Sequence, residues 1–150
     1  MGKKHVAESN KEADIKAAEK VEANVNKEVT VKAANRVSEG RVYVSSSYNN
    51  TIITLTDARG AVLASKSAGA VGFKGTKKST SFAASRVAEA IANICKKLAV
   101  EKLEVFIRGI GAGRESAVRT LVAQGLNVVT IKDITPIPHN GVRPRKVRRV

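Results

Sequence analysis

Lys102 to Ile131 reads KLEVFIRGIGAGRESAVRTLVAQGLNVVTI, and its punctuation decides the fold. Leu103 to Ile107 is a short apolar run of strand length, and Gly109 to Gly113 follows as a turn. Glu115 to Gln124 then carries Val118, Leu121 and Val122 at helical spacing, predicted to face inward, with Gly125 as the stop. Leu126 to Ile131 supplies another strand. A strand, a helix and a strand joined by short turns imply a right-handed crossover and parallel pairing.

Working upstream, Ser79, Thr80 and Ser81 offer N-cap hydroxyls to a second helix. Its apolar stripe is Ala84, Val87, Ile91, Ile94, Cys95 and Leu98, and Lys96 and Lys97 suit the negative end of its dipole. On that stripe Cys95 reads as plain core. Before this helix, Val42 and Val44 alternate with polar neighbours, and Ile52, Ile53 and Leu55 lie among threonines. Asn49 and Asn50 mark a hairpin turn on the ground that asparagine tolerates positive φ, and Asp57-Ala58-Arg59-Gly60 marks a second turn before an Ala61 to Ser65 strand. The fold class predicted is α/β, a mixed sheet of about five strands. It begins as an antiparallel meander and continues strand, helix, strand, helix, strand.

The chain has 150 residues, 27 lysines and arginines against 13 acids and a net charge of +14, so a polyanion is the first partner to consider. Three segments follow from composition. Residues 1–35 hold balanced charge and scattered valines and isoleucines, too few to offset ordering entropy, and are expected to be a frayed helix or disordered extension. Residues 36–135 form an α/β core, and 136–150 a basic tail in which Pro136, Pro138 and Pro144 forbid regular structure. Aromatics are 3% of residues and tryptophan is absent, which argues against a base-stacking platform. One cysteine permits no intrachain disulfide, and His5 and His139 are too far apart in sequence to suggest a metal site. No run reaches the ~18 apolar residues that would cross a bilayer, no secretory h-region opens the chain, and the cytoplasm is the expected location.

Four segments carry candidate chemistry. The tail brings Arg143, Arg145, Lys146, Arg148 and Arg149 together without an acid, and arginine grips phosphate bidentately. Gly69 to Lys78 reads as a flexible stretch whose amides and whose Lys74, Lys77 and Lys78 could reach a sugar-phosphate backbone. It lacks the Gly-Lys-Ser/Thr of a Walker loop, since Thr76 follows Gly75. Gly109-Ile110-Gly111-Ala112-Gly113 precedes a helix, and two readings stand: a tight turn, or an anion site of exposed amides with Arg114 beside it. Asn140-Gly141 is a turn dipeptide, and His139 and Asn140 could equally hydrogen-bond RNA. A metal-dependent nuclease would need clustered carboxylates, whereas Glu39, Asp57, Glu89, Glu101, Glu104, Glu115 and Asp133 look dispersed. No catalytic residue, cofactor, metal or small-molecule substrate is predicted. A general nucleic-acid compactor is the other alternative, distinguished by equal affinity for unrelated sequences.

Residues 49–57 (NNTIITLTD), 72–80 (GFKGTKKST), 113–117 (GRESA) and 135–144 (TPIPHNGVRP), in that order and spacing, resemble the family of the eleventh protein of the small ribosomal subunit, in its bacterial form. The resemblance covers roughly residues 38–150. It implies a sheet related to the ribonuclease H fold without an active site, and a structural role on the subunit platform, near the messenger exit path and Shine-Dalgarno cleft. It also implies small-subunit ribosomal RNA as partner, messenger RNA nearby, and ribosomal proteins six, seven, eighteen and twenty-one as neighbours. Carried onto this chain, the RNA contacts fall on Asn49, Asn50, Lys74, Lys77, Lys78, Arg114, His139, Asn140, Arg143, Arg145, Lys146, Arg148 and Arg149. The family usually has proline where Ile110 and Ala112 stand, and residues 1–35 have no counterpart in it.

Overall fold

In the computed structural model, residues 37–143 and 145–147 are described. The expected N-terminal extension, Pro144, Arg148 and Arg149 lie outside them. Strands β1 (Glu39–Ser46), β2 (Thr51–Asp57) and β3 (Val62–Ser67) form the antiparallel meander. A 3-10 turn, Gly75–Ser79, leads into helix α1 (Ser81–Lys97); β4 (Lys102–Arg108), helix α2 (Gly113–Ala123) and β5 (Val128–Asp133) follow in that order. The sheet order is β3-β2-β1-β4-β5, with β4 parallel to both β1 and β5, so the five-stranded mixed sheet is as predicted.

Alternation along β1 assigns the two faces. Gly40, Val42, Val44 and Ser46 are buried, whereas Arg41, Tyr43 and Ser45 point the other way. Both helices pack on the first face and on each other, α1 over β2 and β3, α2 over β1 and β4. Small residues permit their close approach: Ala83, Ala84, Ala88, Ala92 and Ala117 are buried at this seam or beside it. Ile53, Leu55, Ile91, Leu103 and Leu121 are fully buried, each stabilising the fold by about 2 kcal/mol. Among the described residues no helix covers the second face. Along one register line across it lie Ser65, Thr54, Tyr43, Phe106 and Lys132. Tyr43 and Phe106 stack at 5.0 Å, and the Lys132 Nζ sits 5.9 Å from the Phe106 ring, so these ring faces are spent on one another.

Several local expectations are corrected. Val122 is 52% exposed; the inward stripe of α2 is Ala117 and Leu121, with Val118 partly buried against the core as expected, because the helix leans on α1 as well as on the sheet. Strand β5 begins at Val128, later than Leu126, and a register shift at Leu103/Glu104 accompanies the change. Asn49 and Asn50 do not take positive φ; the turn is closed instead by Ser47, whose Oγ accepts the Asn49 and Asn50 amides at 3.4 and 3.1 Å. The Gly69 to Lys78 stretch is not a loose loop. Val71 is buried, Phe73 packs against the core, and Lys77 and Lys78 sit on the 3-10 turn with Lys74 just before it.

Candidate nucleic-acid interface

Strands β1, β3, β4 and β5 all run in one direction, so their C-terminal ends meet at a single rim of the sheet. Both helices start at that rim. Hydrogen bonds tie the segments there: the Ala68 amide donates to the Thr51 carbonyl at 3.0 Å, the Gly111 amide to the Ser46 carbonyl at 3.0 Å, and the Ser81 hydroxyl to the Ala112 carbonyl at 3.2 Å. The Ser47–Asn50 turn, the lysine stretch, the glycine loop and the root of the tail, scattered over about ninety residues of sequence, become neighbours. In open α/β sheets this end is where ligands bind.

The charge balance differs between the two ends. Glu39, Asp57, Glu101 and Glu104 gather at the opposite end, where Arg41 and Lys102 pair with Glu104 and Glu39 at 3.0 and 3.7 Å. At the rim, Glu115 is paired with Arg119 and Asp133 with Arg114. Lys74 and Lys77 are exposed and Lys78 half-buried, and none of the three has an acidic partner among the described residues. Asn49 is exposed and Asn50 half-buried, its Oδ1 accepting the Thr51 amide at 3.0 Å. His139, Asn140, Arg143, Arg145 and Lys146 are exposed. Asn140 has φ of 50°, which makes the Asn140-Gly141 pair a turn.

The glycine loop answers to packing. A Cβ on Gly109, already at φ 95°, would strike the Ser46 carbonyl; on Gly111 it would strike Ser46 and Ser47; on Gly113, Thr51 and the Ala84 Cβ at 2.8 Å. All three glycines let the loop lie against the end of the β1–β2 hairpin. Helix α2 nevertheless has no side chain capping its N-terminus, and its first turn borders a shallow pocket lined by Ser81, Gly111, Ala112, Arg114, Glu115, Ser116 and Arg119. Helix α1, by contrast, is capped by Thr80, whose Oγ1 accepts the Ala83 amide.

Arg114 is already engaged. Its Nη1 donates to the Gly109 carbonyl at 2.6 Å and its Nη2 to the Asp133 Oδ2. The Asp133 Oδ1 accepts the Thr135 amide and hydroxyl at 2.8 and 2.6 Å, and the Thr135 Oγ1 accepts the Gly109 amide at 3.1 Å. Bonds from Thr135, then from Arg114, pull the Asp133 carboxyl down to about 2. Asp133 and Thr135 escaped sequence reasoning, which saw one as a dispersed acid and the other as part of a family motif. Tyr48 escaped as well: at the tip of the first turn it is 72% exposed, and its only sequence signal was an aromatic set among turn residues.

The fold and rim define a class: a basic α/β protein that presents charge and backbone amides at one end of its sheet. No group of three or more His, Cys, Asp and Glu side chains gathers among the described residues, and none of their helices is long and apolar enough to cross a membrane. The profile of the ribosomal protein S11 family matches residues 40–149. Proteins named small ribosomal subunit protein uS11, from two strains of Treponema pallidum, one of them the Nichols strain, are each 54% identical over 114 residues, 76% of this chain and 90% of theirs. The chain belongs to the ribosomal protein S11 family. It is a structural constituent of the small ribosomal subunit and not an enzyme.

Proposed function

We propose that the rim and the tail bind small-subunit ribosomal RNA on the platform of the subunit, helping to shape the messenger exit region and the Shine-Dalgarno cleft. In the cytoplasm, messenger RNA and ribosomal proteins six, seven, eighteen and twenty-one are then its neighbours. The observation that carries this reading is the convergence at one end of the sheet of the lysine stretch, the glycine loop and the root of the tail, three segments picked on charge and backbone grounds, with the Asn49-Asn50 turn beside them and three lysines that have no acidic partner among the described residues. Lys74, Lys77 and Lys78 neutralise phosphates, the uncapped amides of α2 donate to another, and Asn49 and Asn50 offer polar groups beside them. His139, Asn140 and the five tail cations extend the contact away from the core.

The test is the salt dependence of binding to a transcript of the central domain of small-subunit ribosomal RNA. Each phosphate neutralised releases counterions, so full-length protein with Arg143, Arg145, Lys146, Arg148 and Arg149 changed to glutamine should show a log-affinity against log-salt slope shallower by about 3.5 to 4.5. An unchanged slope removes the tail from the interface.

A further inference from the structure

The tail leaves the core through a closed ring of hydrogen bonds. Gly109 donates to Thr135, Thr135 to Asp133, and Arg114 bridges Asp133 back to the Gly109 carbonyl. One more bond, from the Ile134 amide to the Ile107 carbonyl at 2.8 Å, continues the sheet to the residue before the ring closes. From there the chain has little freedom: Pro136 and Pro138 fix their own φ and restrict Thr135 and Ile137 to extended backbone. Ile137 is 81% exposed, so this segment is held by its own stiffness and not by burial. A stiff strut projects in a defined direction only if its root is fixed, and the ring is that root.

We propose that Arg114, Asp133 and Thr135 are positioning residues, which act on RNA by aiming the cationic tail and not by touching the RNA. The inference rests on the tail being an RNA-binding element, as proposed above. Arg114 fits the role because its guanidinium spans the loop carbonyl and the Asp133 carboxylate, so its charge is offset, whereas the three lysines have no acidic partner among the described residues. The ring joins three places remote in sequence, the end of β4, the first turn of α2 and the end of β5, so the tail's direction is referenced to the same rim that carries the lysines.

The test pairs each ring variant with the neutral-tail protein, full length in every case, on the same central-domain transcript. In the native-tail chain, Thr135→Val should lose about tenfold in affinity through the added ordering cost of a tail whose root is free. Its salt slope should fall toward that of the neutral-tail protein. In the neutral-tail background the same substitution should change affinity by less than about twofold. Thr135→Ser, which keeps the hydroxyl, should bind like the parent. Arg114→Gln and Asp133→Asn should repeat the pattern, and they carry the test if Thr135→Val melts too low to assay.

Equal losses in both backgrounds would make Arg114 a direct RNA ligand or the ring a purely structural brace, and would overturn the proposal. So would an absence of loss in the native-tail chain. If neutralising the tail costs no affinity at all, the proposed function of the tail fails first; if it costs affinity while the ring variants do not, only the positioning role fails.

Discussion

Asp133 shows how much one carboxylate does at the exit of the tail. Its low pKa arises from the bonds Thr135 donates, with Arg114 adding to them, and it sets a clear pH dependence. A carboxyl whose folded value lies near 2 against an ordinary 3.8 contributes stability that is fully present above the unfolded value and lost as pH falls through the folded one. The ring should therefore be intact throughout the neutral range and fail between about pH 4 and 2. Carbon-detected NMR titration should place the Asp133 midpoint near 2 and should move it upward in Thr135→Val; a midpoint at the ordinary value in the parent would contradict the hydrogen bonding described. Cys95 is the opposite case. Burial pushes its thiol up to about 12, so at neutral pH it is an uncharged packing group in α1.

At the scale of elements, two glycines with similar backbone angles separate conformational strain from packing. Gly60 has φ of 90° and open space where a Cβ would go, whereas Gly109 has φ of 95° and the Ser46 carbonyl in that place. Gly60→Ala should cost about 1 to 2 kcal/mol, the left-handed penalty alone. Gly109→Ala should cost about 2 to 5 kcal/mol, since overpacking against backbone adds to it. Urea denaturation of both variants measures the difference, and equal values would mean that the loop does not press on the hairpin. The contrast also marks the boundary of what was legible. Alternation in β1, a hydroxyl cap among Ser79, Thr80 and Ser81, the stripe of α1 and the stop at Gly125 are local signals, and the structure bears each out. Val122 was misplaced because its exposure depends on what α2 packs against, which no periodicity records. The Asn49-Asn50 dipeptide marks the turn, but the closing group is Ser47, and the glycines of the lysine stretch suggest a flexibility that the anchoring by Val71 and Phe73 removes. For the candidate interface, residue types were legible one by one. Their gathering at one rim was not, nor was the engagement of Arg114, because both depend on strand order and parallel register.

At the scale of the whole fold, charge is lopsided among the described residues, with Glu39, Asp57, Glu101 and Glu104 at one end of the sheet and Glu115 and Asp133 paired with arginines at the other. A net charge of +14 alone would attract any RNA at low salt. Selective scaffolding makes a stronger demand: raising salt from about 50 to 200 mM should abolish binding to an unrelated transcript while the central-domain transcript is retained, by a margin of at least about a thousandfold. Filter binding against both RNAs decides it, and parallel loss of both affinities would make the protein a general compactor. The order of the sheet has a different consequence, for how the chain is made. Its central strand, β1, finds β2 within a few residues, but its other edge waits for β4, which is synthesised about sixty residues later. During that interval a nascent three-stranded meander presents an open edge whose Val42 and Val44 have no helix over them, the combination that invites mispairing with other chains. Folding must therefore finish late, and the growing chain has most need of a chaperone between the emergence of β3 and the arrival of β4.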